Sequence, residues 1–144
     1  MQSFLPRLAL ILSLLCAPAL NATEGPYGKV RVDEVTSIYD GDTFRVTISG
    51  WPAVVGQRVP VRLYGIDTPE LRDRRPRVRD LARRAKQFSV ERLRQARRIE
   101  LREIRRDKYF RLLAEVWIDG ESLGALLLKA GLAKPYDGGT KNAW

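Results

Sequence analysis

The 144-residue chain is long enough for one domain with a sizeable hydrophobic core. It carries 26 Lys+Arg against 17 Asp+Glu, a formal net charge of +9, which points to polyanions: nucleic acid first, acidic membrane or cell-wall polymer second. It has no histidine and a single cysteine, Cys16, inside an N-terminal apolar run; this excludes a His base, a His-ligated metal, a His-containing triad and, in a processed chain, any disulfide or thiolate chemistry. Catalysis must then come from carboxylates, Arg, Lys, Tyr, Ser/Thr or a metal held through oxygen.

Residues 1–22 read as a secretory signal. Arg7 supplies positive charge, Leu8–Leu15 is the apolar segment, and Ala17, Ala19 and Ala22 are small, so cleavage is expected after Ala19 or Ala22. The run is too short for a membrane span. Lipidation of Cys16 is disfavoured by the bulky Leu15 before it. The expected product is an exported protein, periplasmic or secreted, with one domain over 23–144.

After a Gly- and Pro-containing linker to Gly28, Lys29–Ile38 reads as a strand, with a phase change near Asp33-Glu34 that predicts a bulge or bend. Asp40-Gly41-Asp42 signals a turn, and Thr43–Ile48 alternates with Phe44, Val46 and Ile48 on one face. Gly50–Gln57 is a loop. Arg58–Ile66 is a third strand, with Val61 and Leu63 on one face and Arg62 and Tyr64 on the other, ending in the polar turn Asp67-Thr68-Pro69-Glu70.

Beyond Glu70 the character changes. Residues 71–111 hold 17 Lys/Arg and 6 Asp/Glu, while all other residues hold 9 and 11. A basic loop interrupted by Pro76 leads into a helical period from about Val78 to Arg98, with Leu81, Ala85, Phe88, Leu93 and Ala96 near one face. Arg83, Arg84, Arg92, Arg94 and Arg98 line the opposite face, as the solvated side of a packed helix would require. Ile99–Ile104 and Tyr109–Ile118 read as a strand hairpin, Asp119-Gly120 as a tight turn, and Leu123–Ala130 as a short helix started near Glu121 or Ser122 and stopped by Gly131. Leu132–Trp144 is a tail. The order β-β-β-α-β-β-α predicts an α+β, mainly β domain: a five-stranded OB-type Greek-key barrel with a helix between strands 3 and 4 and a short helix after strand 5.

Three segments put unusual polar groups beside strand ends: Asp40-Gly41-Asp42-Thr43, Arg62 with Asp67-Thr68-Pro69-Glu70, and Asp107-Lys108-Tyr109-Phe110-Arg111. Each alone is ordinary, since a DG turn is usually only a turn and a strand arginine usually only a surface residue. Together and in this order, with the later D-G-x-x-L and G-L-A-K segments, they resemble the thermonuclease (staphylococcal nuclease) family from Lys29 to Ala133. The resemblance implies a calcium-dependent phosphodiesterase on an OB barrel that acts on DNA and RNA and leaves 3′-phosphate products; a monomer is expected. It implies metal ligation by Asp42, Asp67 and the Thr68 carbonyl, with Ca²⁺ or another divalent cation. Glu70 would orient or deprotonate water, Arg62 and Arg111 would hold the scissile phosphate, and Lys108 and Tyr109 would line the nucleotide site.

Elementary chemistry agrees with these roles. A phosphodiester anion repels a nucleophile, and guanidinium groups with a hard cation stabilise the charge that attack develops. Carboxylates suit such a cation, and a carboxylate base removes the need for histidine. A module that binds nucleic acid without cleaving it is the alternative, disfavoured because all five of Asp42, Arg62, Asp67, Glu70 and Arg111 are present. An exported binder of acidic envelope polymers accounts for the charge but not for the carboxylates.

Two departures from the family pattern stand out. Phe110 occupies a position that is usually glycine, and a left-handed backbone there would cost roughly 1–2 kcal/mol and could misaim Arg111. The sequence ends at Trp144, so the family's C-terminal helix is expected to be missing. Tyr136 reads as a packed tail tyrosine, with base stacking as the other option.

Overall fold

A computed structural model of the protein describes residues 27–141 and 143–144. The signal expected over 1–22, with Cys16 and the cleavage positions, lies outside the described residues. The fold is mixed α+β and mainly sheet. In chain order it comprises β1 (Val30–Val32), β2 (Glu34–Ile38), β3 (Thr43–Thr47), α1 (Ala53–Gly56), β4 (Val59–Leu63), β5 (Ile66–Asp67), α2 (Pro76–Gln95), β6 (Ile99–Arg106), β7 (Leu112–Ile118), β8 (Glu121–Ser122), α3 (Leu123–Lys129) and β9 (Lys134–Pro135).

The main sheet runs β1-β6-β7-β4-β3-β2, with β8 added to β7. Its two outer strands, β1 and β2, are consecutive in the chain and separated only by Asp33. The expected bend at Asp33-Glu34 is therefore the point where one extended segment leaves β6 and joins β3, so the sheet must curl for both pairings to form. A register shift between Val35 and Ser37 in the β2–β3 pair adds local twist.

The five expected strands appear more finely divided. Arg58–Ile66 is interrupted at Tyr64-Gly65, where Gly65 takes a positive φ of 80°, and the remainder becomes β5, paired with β9 of the tail. Gly50–Gln57, read as loop, contains the single-turn helix α1. Asp119-Gly120 forms the expected tight turn, with φ of 48° and 91° matching the twist of a two-residue hairpin.

Helix α2 starts two residues before the expected Val78. Pro76 opens it rather than interrupting a loop, because the first turn of a helix needs no proline N–H. Its buried line is Val78, Ala82, Ala85, Ser89 and Leu93, so the packed face is rotated slightly from the expected one, and Leu81 and Phe88 sit at its margin. Ser122 caps α3 by accepting a hydrogen bond from the Ala125 N–H at 3.3 Å.

Phe44, Val46, Val61, Leu63, Leu101, Ala114 and Val116 fill the sheet interior, and Leu123 and Leu127 of α3 join the same core. Each large apolar side chain buried this way contributes roughly 1.5–3 kcal/mol.

Candidate active site

Asp42 closes the Asp40-Gly41-Asp42 turn immediately before β3, and Arg62 stands on β4 directly opposite Thr43. The β3–β4 pairing thus sets Asp42 beside Arg62, with Arg62 Nη1 to Asp42 Oδ1 at 2.5 Å. Asp67, on β5, meets the other arm of the same guanidinium, with Nη2 to Oδ1 at 2.9 Å. All three side chains are largely buried, at 3% (Asp42), 7% (Asp67) and 11% (Arg62) exposure. Burial opposes charge on Arg62, but the two adjacent carboxylates more than offset it and raise its pKa above the ordinary value.

The turn is itself fixed from three sides. Asp42 Oδ2 accepts the Thr68 N–H at 2.9 Å, and Thr43 Oγ1 donates to Asp42 Oδ1 at 3.0 Å. Ser89 of α2, fully buried, donates its hydroxyl to the Gly41 carbonyl at 2.6 Å. Gly41 is required by space: a Cβ there would lie 2.9 Å from Ala85 Cβ and 2.9 Å from Thr68 Cγ2. Asp40, given no role by sequence reading, accepts the Asp42 N–H at 3.1 Å. Burial, then the charge of Asp42, pushes the Asp40 pKa up to about 7.

Glu70 is placed differently. Its side chain is 68% exposed at the cleft rim, and its Oε1 receives Lys141 Nζ at 2.9 Å; the same ammonium reaches Asp67 Oδ1 at 3.1 Å. Lys141 belongs to the tail, which the β5–β9 pairing and the Tyr136 N–H to Gly65 carbonyl bond return to the site. Tyr136 is also there, its ring 5.9 Å from the Arg62 guanidinium carbon, so it faces the cleft rather than simply packing the tail.

Arg111 arrives by another route. Strands β4 and β7 are parallel with Arg62 opposite Leu113, so Arg111, two residues earlier, shares the face of Leu113. It leaves a turn organised by Asp107, whose Oδ1 accepts the N–H groups of Tyr109 (2.8 Å) and Arg111 (3.0 Å) and whose Oδ2 receives Arg111 Nε at 2.7 Å. Burial disfavours the Asp107 carboxylate, yet these bonds, the Arg111 side chain foremost, hold its pKa below the usual range. Phe110 does adopt a positive φ, 61°, and is 75% exposed. The conformation that glycine would supply freely is thus kept by phenylalanine, and Arg111 still reaches the cleft. Tyr109 lies beside it, its ring centroid 5.2 Å from the guanidinium carbon.

All eight residues expected at the site, Asp42, Arg62, Asp67, Thr68, Glu70, Lys108, Tyr109 and Arg111, line one cleft of about 710 Å³. Asp40, Asp107, Tyr136 and Lys141 line it too. Asp107 sat within a motif without a role, whereas Lys141 carries no local signal, because only the fold of the tail brings it in.

No described group of three or more acidic, His or Cys side chains is drawn together as a ready metal cage. The donor chemistry nonetheless fits a hard cation. Asp42 and Asp67 offer buried carboxylate oxygens, the Thr68 Oγ1 is buried without a hydrogen-bond partner, and a positive group, the Lys141 ammonium, already bridges Asp67 and Glu70. Asp42, Asp67 and the Thr68 carbonyl are the residues that would hold such an ion.

Comparison with known proteins supplies the family. Residues 60–143 match the model of the family described as staphylococcal nuclease homologue. The chain belongs to that family. It is 33% identical over 134 residues to the thermonuclease of Staphylococcus intermedius, covering 88% of this chain and 76% of the relative. It is also 33% identical over 115 residues to the thermonuclease of Staphylococcus hyicus, covering 79% and 61%, and 37% identical over 98 residues to the endonuclease YncB of Bacillus subtilis, covering 66% and 43%. The chain therefore spans only part of the length of several relatives that it matches. The residues matched to the nuclease family model include Arg62, Asp67, Glu70 and Arg111, while Asp42 precedes them.

Proposed function

We propose that the protein is a divalent-metal-dependent endonuclease, using Ca²⁺ by preference, that hydrolyses phosphodiester bonds of both DNA and RNA with little sequence preference and leaves 3′-phosphate ends. Membership of a nuclease family gives the reaction class. The observation that carries the reading to this chain is the meeting of two guanidinium groups, Arg62 and Arg111, with Asp42, Asp67 and Glu70 in one open cleft.

Each residue has a task that its surroundings permit. Arg62 and Arg111 present planar donor forks suited to phosphate oxygens. Both Nη atoms of Arg62 are engaged by Asp42 and Asp67, so gripping a phosphate requires at least one of these bonds to loosen. Glu70, at the exposed rim, is reachable by water and accepts its proton once Lys141 has moved off. A divalent cation, when bound, supplies positive charge against the phosphoryl oxygens and makes water easier to deprotonate. Lys108 and Tyr109 contact the adjoining nucleotide, and the basic 71–111 region draws the polyanion in, making activity salt-sensitive.

We further infer that the curled sheet is an OB-type five-stranded Greek-key barrel. The chain is exported under a signal over residues 1–22 and works as a monomer in the periplasm or outside the cell.

The test is digestion of plasmid and single-stranded RNA with Ca²⁺, Mg²⁺ or Mn²⁺ and with excess chelator, followed by end-group analysis. Cleavage that stops on chelation and returns with Ca²⁺ is expected. Undiminished cleavage in chelator would remove the metal from the mechanism. Glu70→Gln should fold normally, because the side chain is exposed, and should lose most activity; full activity would reassign the base.

A further inference from the structure

Beyond the catalytic cleft lies a second groove, of about 610 Å³, lined by Ile38, Pro60, Arg45 and, on the side nearer the cleft, Tyr39, Tyr109 and Arg111. Tyr39, Thr43, Tyr109 and Arg111 line both spaces, so the groove continues the cleft past Arg111, away from Tyr136. Its surface is mixed: Ile38 and Pro60 are partly buried apolar side chains, whereas Arg45 is exposed and anchored by donating to the Arg58 carbonyl at 3.1 Å.

Two features of Tyr39 call for an occupant. The residue is 58% exposed although its backbone is fixed, its N–H donating to the Thr43 carbonyl at 2.9 Å. Across the shared boundary Tyr109 is likewise 65% exposed. Two large aromatic rings left in water beside an apolar floor and two guanidinium groups match the needs of a nucleoside next to its phosphate. The base is a flat apolar surface that stacks on aromatic rings, and the phosphate is an anion that pairs with arginine.

We propose that this groove is a second nucleoside subsite, which stacks the base of the nucleotide lying across the scissile phosphate from the Tyr136 end, with Tyr39 as its principal platform. The proposal rests on the nuclease reading of the adjoining cleft. A strand threaded this way passes its scissile phosphate between Arg62 and Arg111 while one base rests near Tyr136 and Tyr109 and the next on Tyr39. Stacking accepts any base, so the subsite adds affinity without sequence preference. It also favours single strands, whose bases are free to splay.

The experiment uses the full chain carrying Glu70→Gln to suppress hydrolysis, with Ca²⁺ present. Fluorescence anisotropy reads the binding of two labelled probes, a short single-stranded oligothymidylate and a base-free strand with the same number of phosphates. Adding Tyr39→Ala should weaken the oligothymidylate roughly tenfold and leave the base-free strand unchanged. Tyr39→Phe should bind both like the parent, since the ring and not the hydroxyl stacks. Oligothymidylate affinity unchanged by Tyr39→Ala, or equal losses on both probes, would overturn the subsite and leave the nuclease reading intact. Failure of the parent to bind either probe would overturn both. Matching circular dichroism spectra and melting curves separate loss of the platform from loss of the fold.

Discussion

The two halves of the site are built on opposite plans. Asp42, Arg62 and Asp67 are buried at the end of the sheet, fixed by the flanking strand pairings and by one another, with Asp42 also accepting the Thr68 N–H. Arg111 hangs from an exposed turn whose shape depends on one carboxylate, Asp107, and on a phenylalanine in a left-handed conformation. The first half is preorganised by burial and so is coupled to stability. The second is preorganised by local hydrogen bonds, so it can be loosened without unfolding the protein. On the proposed reading, a phosphate lying between them would be held by one rigid and one adjustable guanidinium.

The contrast can be broken most severely at Arg62. Arg62→Ala leaves Asp42 buried without its counter-charge and Asp67 with only Lys141, and should cost about 3–5 kcal/mol in urea unfolding together with nearly all cleavage. Wild-type stability in that variant would mean the buried half is not locked as described. At the other half, Asp107→Ala should lower turnover of RNA about tenfold, because Arg111 loses its orienting partner, while the melting temperature moves little. A large loss of stability instead would make that turn structural.

Phe110→Gly should raise stability by about 1 kcal/mol, the left-handed strain relieved less the added chain entropy of glycine, with activity kept. Destabilisation would show that the exposed ring of Phe110 does more than tolerate its backbone. The smallest effect is expected away from the site. Hydrogen bonds from Arg102, then Arg98, lower the Glu100 pKa from 4.5 to about 2. A depressed carboxylate pKa adds stability above pH 4.5 that is lost as the pH falls toward 2. Glu100→Gln should therefore flatten this acid limb slightly, as read by melting temperatures across that range. Both arginine partners reach solvent, so the change is modest.

Much of this was legible in the residues. The alternation of Phe44, Val46 and Ile48, the turn at Asp40-Gly41-Asp42 and the apolar spacing after Pro76 each have a local physical cause, and each produces the element expected. The boundaries were less legible. Pro76 could break a loop or open a helix, and only the packing of Val78 and Ala82 selects the second. Arg94, on the solvated face as expected, also donates to the Val35 carbonyl at 2.9 Å and ties α2 to the sheet. A long side chain on a helix margin can reach either way, and sequence spacing does not choose.

By itself the sequence determined which chemistry is available. It has carboxylates and arginines at strand ends and no histidine, and Phe110 stands where glycine would be easier. Those are properties of residue type and near neighbours, which a chain carries before it folds. The tertiary structure alone decided what meets what. The parallel β4–β7 register brings Arg111 to the Arg62 cleft, and the β5–β9 pairing carries Lys141 and Tyr136 back across more than sixty residues. Ser89 is buried against Gly41, and Tyr39 stands at the mouth of a second groove. Such contacts arise from closing a curled sheet on itself, where distance along the chain no longer measures distance in space.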